Sequence, residues 1–306
     1  NTVVPYNHEN SLLYTRITLP QGDQEFMPQY GAPLSLSDID LIVDWINEGA
    51  LETPSVEYFG PVWHVSTTGS DNTGDGSEFN PFSTIQKAID SANGADTVYV
   101  LKGTYVENID WPATGGIRLI GFHIDSTIID GGGIGKVIDN SDDTSHPIEI
   151  SNLTIQNGYS TGKGGGISLE MVGDILLKNI KVDNNQANYG GGIHIEGQGS
   201  VSFVQTVVHI ENSVISNNSA TSKGGGIDLS GDLISSIIKN STIVNNSSGS
   251  GGGGIDAWSA GEYAVIVNSI FWNNQPENTS GMIFPYYSNI DIPVGTNNTY
   301  TDPLFV

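Results

Sequence analysis

Glu211-Asn212-Ser213-Val214-Ile215-Ser216-Asn217-Asn218 is followed by Lys239-Asn240-Ser241-Thr242-Ile243-Val244-Asn245-Asn246 and then by Val267-Asn268-Ser269-Ile270-Phe271-Trp272-Asn273-Asn274. The same unit stands earlier as Ser151-Asn152-Leu153-Thr154-Ile155-Gln156-Asn157 and as Lys178-Asn179-Ile180-Lys181-Val182-Asp183-Asn184-Asn185. Its leading Asn occupies positions 152, 179, 212, 240 and 268, steps of 27, 33, 28 and 28, which is one period carrying one insertion. Gly-Gly-Gly-Ile recurs between the units, ending at Ile167, Ile193, Ile227 and Ile255.

A unit of this length cannot bury its own apolar face, so successive units must stack. Runs such as Ile237-Ile238-Lys239-Asn240-Ser241-Thr242-Ile243 read as short strands broken by tight corners, with inward Ile, Val and Leu in one continuous core. Asn tolerates left-handed backbone at a corner, and repeated at one corner it can bond its counterparts in a ladder. The fold class expected is therefore all-β, a right-handed parallel β-helix.

The expected organisation is a small helical segment over 1–54, a linker over 55–62 and the solenoid over 63–306, with 63–96 as its cap and 97–306 as its coils. The first segment carries one well-signalled helix, Ser35 to Glu48, with Ser35 or Ser37 as cap, Asp38 and Asp40 at the positive end and Gly49 as the stop. Ile39, Ile42, Val43 and Ile46, with Trp45 beside them, form its apolar face. In the cap, a helix over Ser83 to Asn93 is expected, opened by a Ser83/Gln86 capping box and ended by Gly94. The strand Thr97-Val98-Tyr99-Val100-Leu101 follows it.

Composition narrows the function. There is no Cys, which removes disulfides, thiolate metal sites and thiol nucleophiles. Ten Lys and Arg against 34 Asp and Glu give a formal charge of −24, a field that repels phosphate backbones and anionic membranes, so nucleic acid is not an expected partner. No run of residues is long and apolar enough for a membrane span. The same field attracts divalent cations. Asp71, Asp75 and Glu78 share a Gly-rich loop whose oxygens suit Ca²⁺ as a cofactor, and Asp139, Asp142 and Asp143 form a second acidic cluster.

Catalytic candidates come from the repeat. Asp228 and Asp256 occupy the same place after Gly-Gly-Gly-Ile, His194 occupies the matching place between Ile193 and Ile195, and Glu170 with Glu196, like Asp228 with Asp256, is expected to stack on one face of adjacent coils. Stacked carboxylates beside an imidazole are the groups of acid-base glycoside chemistry. Lyase chemistry on uronates calls for a Lys or Arg base beside acidic ligands, and Lys163, Lys178, Lys181, Lys223 and Lys239 fall in no single motif. Tyr159, Tyr189, Trp258, Trp272, Tyr286 and Tyr287 are candidate platforms for sugar rings.

Three resemblances accompany these readings. The order strand, Gly/Asp loop, helix, Val-Tyr-Val and Gly103-Thr104-Tyr105 is similar to the entry of many right-handed β-helix proteins. Units of the form Asn217-Asn218-Ser219-Ala220 followed by Gly-Gly-Gly-Ile resemble repeats of polymorphic outer-membrane and adhesin-like proteins, and the fold also hosts pectate-lyase-like enzymes. These likenesses imply a secreted or cell-surface bacterial protein, acting as a structural or adhesive module on glycans, with self-assembly open to it and a polysaccharide lyase or glycoside hydrolase as the alternative. Finally, Ser11-Leu12-Leu13-Tyr14, Met27-Pro28, Pro33-Leu34-Ser35 and Trp45 to Ala50 resemble the C-terminal part of c-type cytochrome domains. That likeness implies an axial haem ligand at Met27, although the family's Cys-x-x-Cys-His motif is absent from this sequence.

Overall fold

The structure is a computed structural model that describes residues 3, 8–21, 23–27, 33–47, 61–112, 116–144, 147–171, 173–197, 206–231, 234–257, 263–290, 298–299 and 303. The chain divides into two compact units, Asn1–Tyr58 and Phe59–Val306.

The first unit contains helices α1 (Leu12–Thr18) and α2 (Leu36–Asn47). Ser35 caps α2 as its sequence indicates. Its Oγ accepts from the Asp38 N–H (3.2 Å) and donates to the Asp38 carboxylate (2.6 Å), which also accepts from the Ser35 N–H (3.3 Å), a box closed by Asp where Glu is more usual. Ile46 is fully buried, while Ile39, Ile42 and Val43 are partly covered. The Trp45 side chain and Gly49 lie outside the described residues. Helix α1 has no counterpart in the sequence reading, because seven residues are too few for periodicity to show.

The second unit is a right-handed parallel β-helix. Among the described residues its strands form three sheets of nine, nine and seven strands. One coil shows the plan. Thr206–Glu211 belongs to the first sheet, Asn212 and Ser213 turn the corner, and Val214–Ser216 joins the third sheet. Asn217 and Asn218 turn again, and Ser219–Lys223 and Ile227–Gly231 enter the second sheet. Each strand pairs in parallel with its equivalents one coil away, so Ile210 faces Ile238 and Ile215 faces Ile243. The inward residues, mostly Ile, Val and Leu, are almost completely buried from Val65 to Ile290.

The two corners flanking the third sheet are held by Asn. Asn152, Asn179, Asn212, Asn240 and Asn268 have φ between 48° and 59°, the left-handed region that Asn enters at least cost. Their amides form the expected ladder, with Asn179 donating to Asn152 (2.7 Å) and Asn268 to Asn240 (2.8 Å). At the next corner the Asn-Asn pair splits its labour. The first member, as at Asn217, takes the left-handed backbone, and the second points inward. Asn185, Asn218, Asn246 and Asn274 are buried and linked amide to amide at 3.0 Å up to Asn274, which donates to Asn278 (2.8 Å).

The cap helix α3 (Ile85–Ser91) covers the first coil, but its ends differ from the expectation. Thr84, not Ser83, is the N-cap: its Oγ1 accepts from the Lys87 N–H (3.2 Å). Gln86 does not close a box; its side chain bonds the backbone N–H (2.8 Å) and carbonyl (3.0 Å) of Asp110. Glu107 takes the free N–H groups of Ile85 and Gln86 (3.0 Å each). The Ser83 N–H that the box would have given to Gln86 goes instead to the Asp71 carboxylate (2.8 Å), so carboxylates from outside the helix satisfy its N-terminus. The helix stops at Ala92, whose extended backbone precludes another turn before Gly94.

Candidate functional site

The second sheet carries an outward column one residue beyond the buried Ile of each Gly-Gly-Gly-Ile. Register pairs join Asp110 to Asp139, Asp139 to Ser168, Ser168 to His194, His194 to Asp228, Asp228 to Asp256 and Asp256 to Ser280. Two residues further, Glu170, Glu196 and Ser230 form a second outward column. The alignment of His194, Asp228 and Asp256 read from the repeat therefore holds in three dimensions.

Outward from the core as they point, these three side chains are not exposed. His194 is 1% exposed, Asp228 4% and Asp256 2%. Glycine causes this. At Gly190 and Gly224 the backbone turns with φ of 59° and 62° and folds back over the column, so closely that a Cβ would lie 2.8 Å from that of His194 and 2.6 Å from that of Asp228. Gly164 stands in the same relation to Ser168, and a Cβ at Gly251 would meet the Asp256 carboxylate oxygen at 2.2 Å. The first Gly of each run is thus a lid on the residue four or five positions later.

Beneath these lids the polar groups pair. His194 Nδ1 lies 2.8 Å from Asp228 Oδ2, and its Nε2 lies 3.7 Å from Glu196 Oε2 and 3.5 Å from Ser230 Oγ. Burial works against charge on the imidazole, but the bonds to Asp228 and Glu196 outweigh it and the pKa is raised. Glu196 is held down at about 2, by its bond to His194 first and then, against some desolvation, by the Lys163 ammonium. Lys163 pairs with Glu196 and lies 3.6 Å from Glu170. Burial pushes the Asp256 carboxyl up, although it accepts from the Gly252 N–H (3.2 Å) and Lys223 Nζ stands 3.8 Å away.

These groups line a cleft of about 310 Å³, completed by Tyr189 and Leu229. Two more clefts open on the same side. One of about 620 Å³ is bounded by Asn108, Asp110, Ile134, Lys136, Asp139, Tyr159 and Ser160, among others. Another of about 250 Å³ lies over the Asn corner and shares Tyr159, with Asn157, Asn184, Gln186 and Asn217. Tyr159 is 40% and Tyr189 37% exposed. Lys163 and Lys223 were not separable from other lysines by motif. They meet the cleft because each immediately precedes a Gly run, and that shared position is the signal that would have found them.

The other expected sites are placed differently. The Asp71 carboxylate accepts from the N–H groups of Ser83 (2.8 Å) and Thr84 (3.1 Å) and from the Thr84 hydroxyl (2.7 Å), Asp75 accepts from the Ser77 N–H (2.9 Å), and Glu78 is exposed. Among the described residues no three His, Asp or Glu side chains gather as metal ligands. Asp139 pairs with Lys136 (2.8 Å), while the Asp142 and Asp143 side chains lie outside the described residues, as does Trp258. Met27 is 41% exposed, its N–H on the Arg16 carbonyl (3.0 Å). An exposed thioether in a chain without Cys does not fit a haem held by these residues alone.

No protein-family model matches the sequence, and no curated protein matches it. Solved structures with a similar course include pectin methylesterase PemA from Erwinia chrysanthemi, at 14% identity and TM-score 0.38 over 76% of this chain and 92% of that one. A pectin methylesterase in complex with hexasaccharide VII gives 14%, 0.39 and the same coverage. A rhamnogalacturonan lyase gives 13% and 0.27 over 80% of this chain and 86% of that one. At such identities the likeness says nothing of what this chain binds.

Proposed function

We propose that this protein is a secreted or surface-displayed bacterial β-helix that binds polysaccharide along the outer face of its second sheet. The observation that carries this reading is the pairing, within clefts on that face, of a half-exposed tyrosine with ionised or amide side chains: Tyr189 with Lys163 and Glu196, and Tyr159 with Asn157 and Gln186. Pyranose rings offer apolar faces and hydroxyl edges, and they need both kinds of partner at once. The strong negative charge of −24 supports an extracellular setting, where salt screens self-repulsion. An adhesive role fits a rigid solenoid that presents such clefts in series.

A second reading, glycoside hydrolysis, is favoured by one observation: His194, Glu196, Asp228 and Asp256 converge in one cleft with two carboxylates pushed in opposite directions. His194, Asp228 and Asp256 are covered by the glycine turns and out of a saccharide's reach, with only Glu196 half-open, which favours binding over catalysis. The test is incubation with a panel of neutral and acidic polysaccharides, following co-sedimentation, new reducing ends and ultraviolet absorbance of unsaturated products. Co-sedimentation without cleavage is expected. New reducing ends that vanish in Glu196→Gln would establish the hydrolase instead, and the absence of both would end the glycan reading.

A further inference from the structure

Asp139, in the larger cleft, and His194, Asp228 and Asp256, in the smaller, belong to one column with Ser168 between them. Lys136 of the larger cleft reaches the Ser168 hydroxyl (3.2 Å). Along the rim, Lys163, Tyr189 and Lys223 occupy one position in three successive coils, Lys163 bridged to Tyr189 and Tyr189 to Lys223. Asp139 to Asp256 spans four strand steps, roughly 19 Å at about 4.8 Å each. A saccharide of several units fits that length.

Resting on the glycan-binding reading above, we infer that the two clefts are one groove for an uncharged polysaccharide and that it rejects polyuronates. Every base in the groove is already held by a protein carboxylate: Lys136 by Asp139 (2.8 Å), Lys163 by Glu196 and Glu170 (3.6 Å), Lys223 by Asp256 (3.8 Å) and His194 by Asp228 (2.8 Å). Asp110 adds a further acid, so six carboxylates face four bases, in a chain of net charge −24. A sugar carboxylate would have to displace one of these partners against a repelling field. A hydroxyl meets no such conflict, because it donates to a carboxylate and accepts from an ammonium, and each ion pair at the rim presents both. Tyr159 and Tyr189 supply the ring faces along the groove.

Native affinity electrophoresis of the full chain tests this, in gels containing xylan, glucan or mannan and in gels containing polygalacturonate or alginate, each at low and high salt. Retardation by an uncharged polymer is expected, indifferent to salt and weakened roughly tenfold in Tyr189→Ala, the loss of one stacking contact. The double variant Glu170→Gln/Glu196→Gln frees Lys163 and is expected to gain retardation by polyuronates. Circular dichroism melting verifies that the variants fold. Polyuronate binding by the unaltered chain, weakened by salt, would overturn the inference and leave the glycan reading standing. So would retardation undiminished in both Tyr159→Ala and Tyr189→Ala, or no polyuronate gain in the double variant. Retardation by no polymer at all would overturn both.

Discussion

At Gly190 the chain combines a left-handed φ of 59° with contacts that leave no room for a side chain: a Cβ would stand 2.5 Å from the Ile193 carbonyl oxygen. Gly190→Ala should therefore destabilise by more than the roughly 1–2 kcal/mol of left-handed backbone alone, read as a lowered urea midpoint at unchanged slope. An alanine with wild-type stability would show that the lid is not tight. Beneath it, His194 and Glu196 give a pH signature of opposite signs. His194 has a raised folded pKa, so its contribution is complete below the ordinary 6.5 and is lost as pH rises through the raised value. Glu196 is depressed to about 2 from 4.5, so its contribution is complete above 4.5 and is lost as pH falls towards 2. The stability difference between the wild type and His194→Gln should be largest from about pH 4.5 to 6.5. A difference that grows above that window would refute the assignment of charge. The sequence showed which of these residues share a column. It did not show that they are buried, because that depends on a glycine turn whose backbone bonds run to another coil.

The corner is where element and residue meet, and its two asparagines have separate tasks that identical letters conceal. Asn217→Gly should cost little, since glycine accepts the left-handed backbone freely and only the exposed bond from the Asn217 amide to Asp183 (2.8 Å) is lost. Asn218→Gly should cost several kcal/mol. Asn218 Oδ1 accepts from both the backbone N–H and the amide of Asn185 (3.0 Å each), and its own amide donates to the Val182 carbonyl (3.0 Å) and to Asn246 (3.0 Å). Removing it orphans buried groups at about 1–3 kcal/mol each. Equal melting temperatures for the two variants would sink this division. The cap helix teaches the converse lesson. Its apolar spacing was legible, but its N-terminal partners, Asp71 and Glu107, come from segments outside the helix, where no local pattern points to them.

For the whole molecule, stacked repeats imply near-neighbour energetics. Excising residues 212–239, one 28-residue period, rejoins Glu211 to Asn240 in the same register, and the shortened chain should keep its parallel β spectrum and unfold at a somewhat lower denaturant concentration. Collapse to an unfolded chain would mean that the coils are not interchangeable. A net charge of −24 over this surface should also make the melting temperature rise from low to moderate salt, as screening relieves self-repulsion. A melting temperature that falls with salt would show that ion pairs outweigh repulsion. By itself the sequence determined the solenoid, the corners and the alignment of 194, 228 and 256, because all three follow from a period near 28 residues and an alternation of two, and periodicity is a property of a string. Only the tertiary structure decided that the column is buried, that Lys163 and Lys223 enter one cleft with it, and that every base there already has an acid. Those are contacts between residues one coil or more apart, and their distance and exposure depend on how tightly each glycine run settles over the strand beneath it.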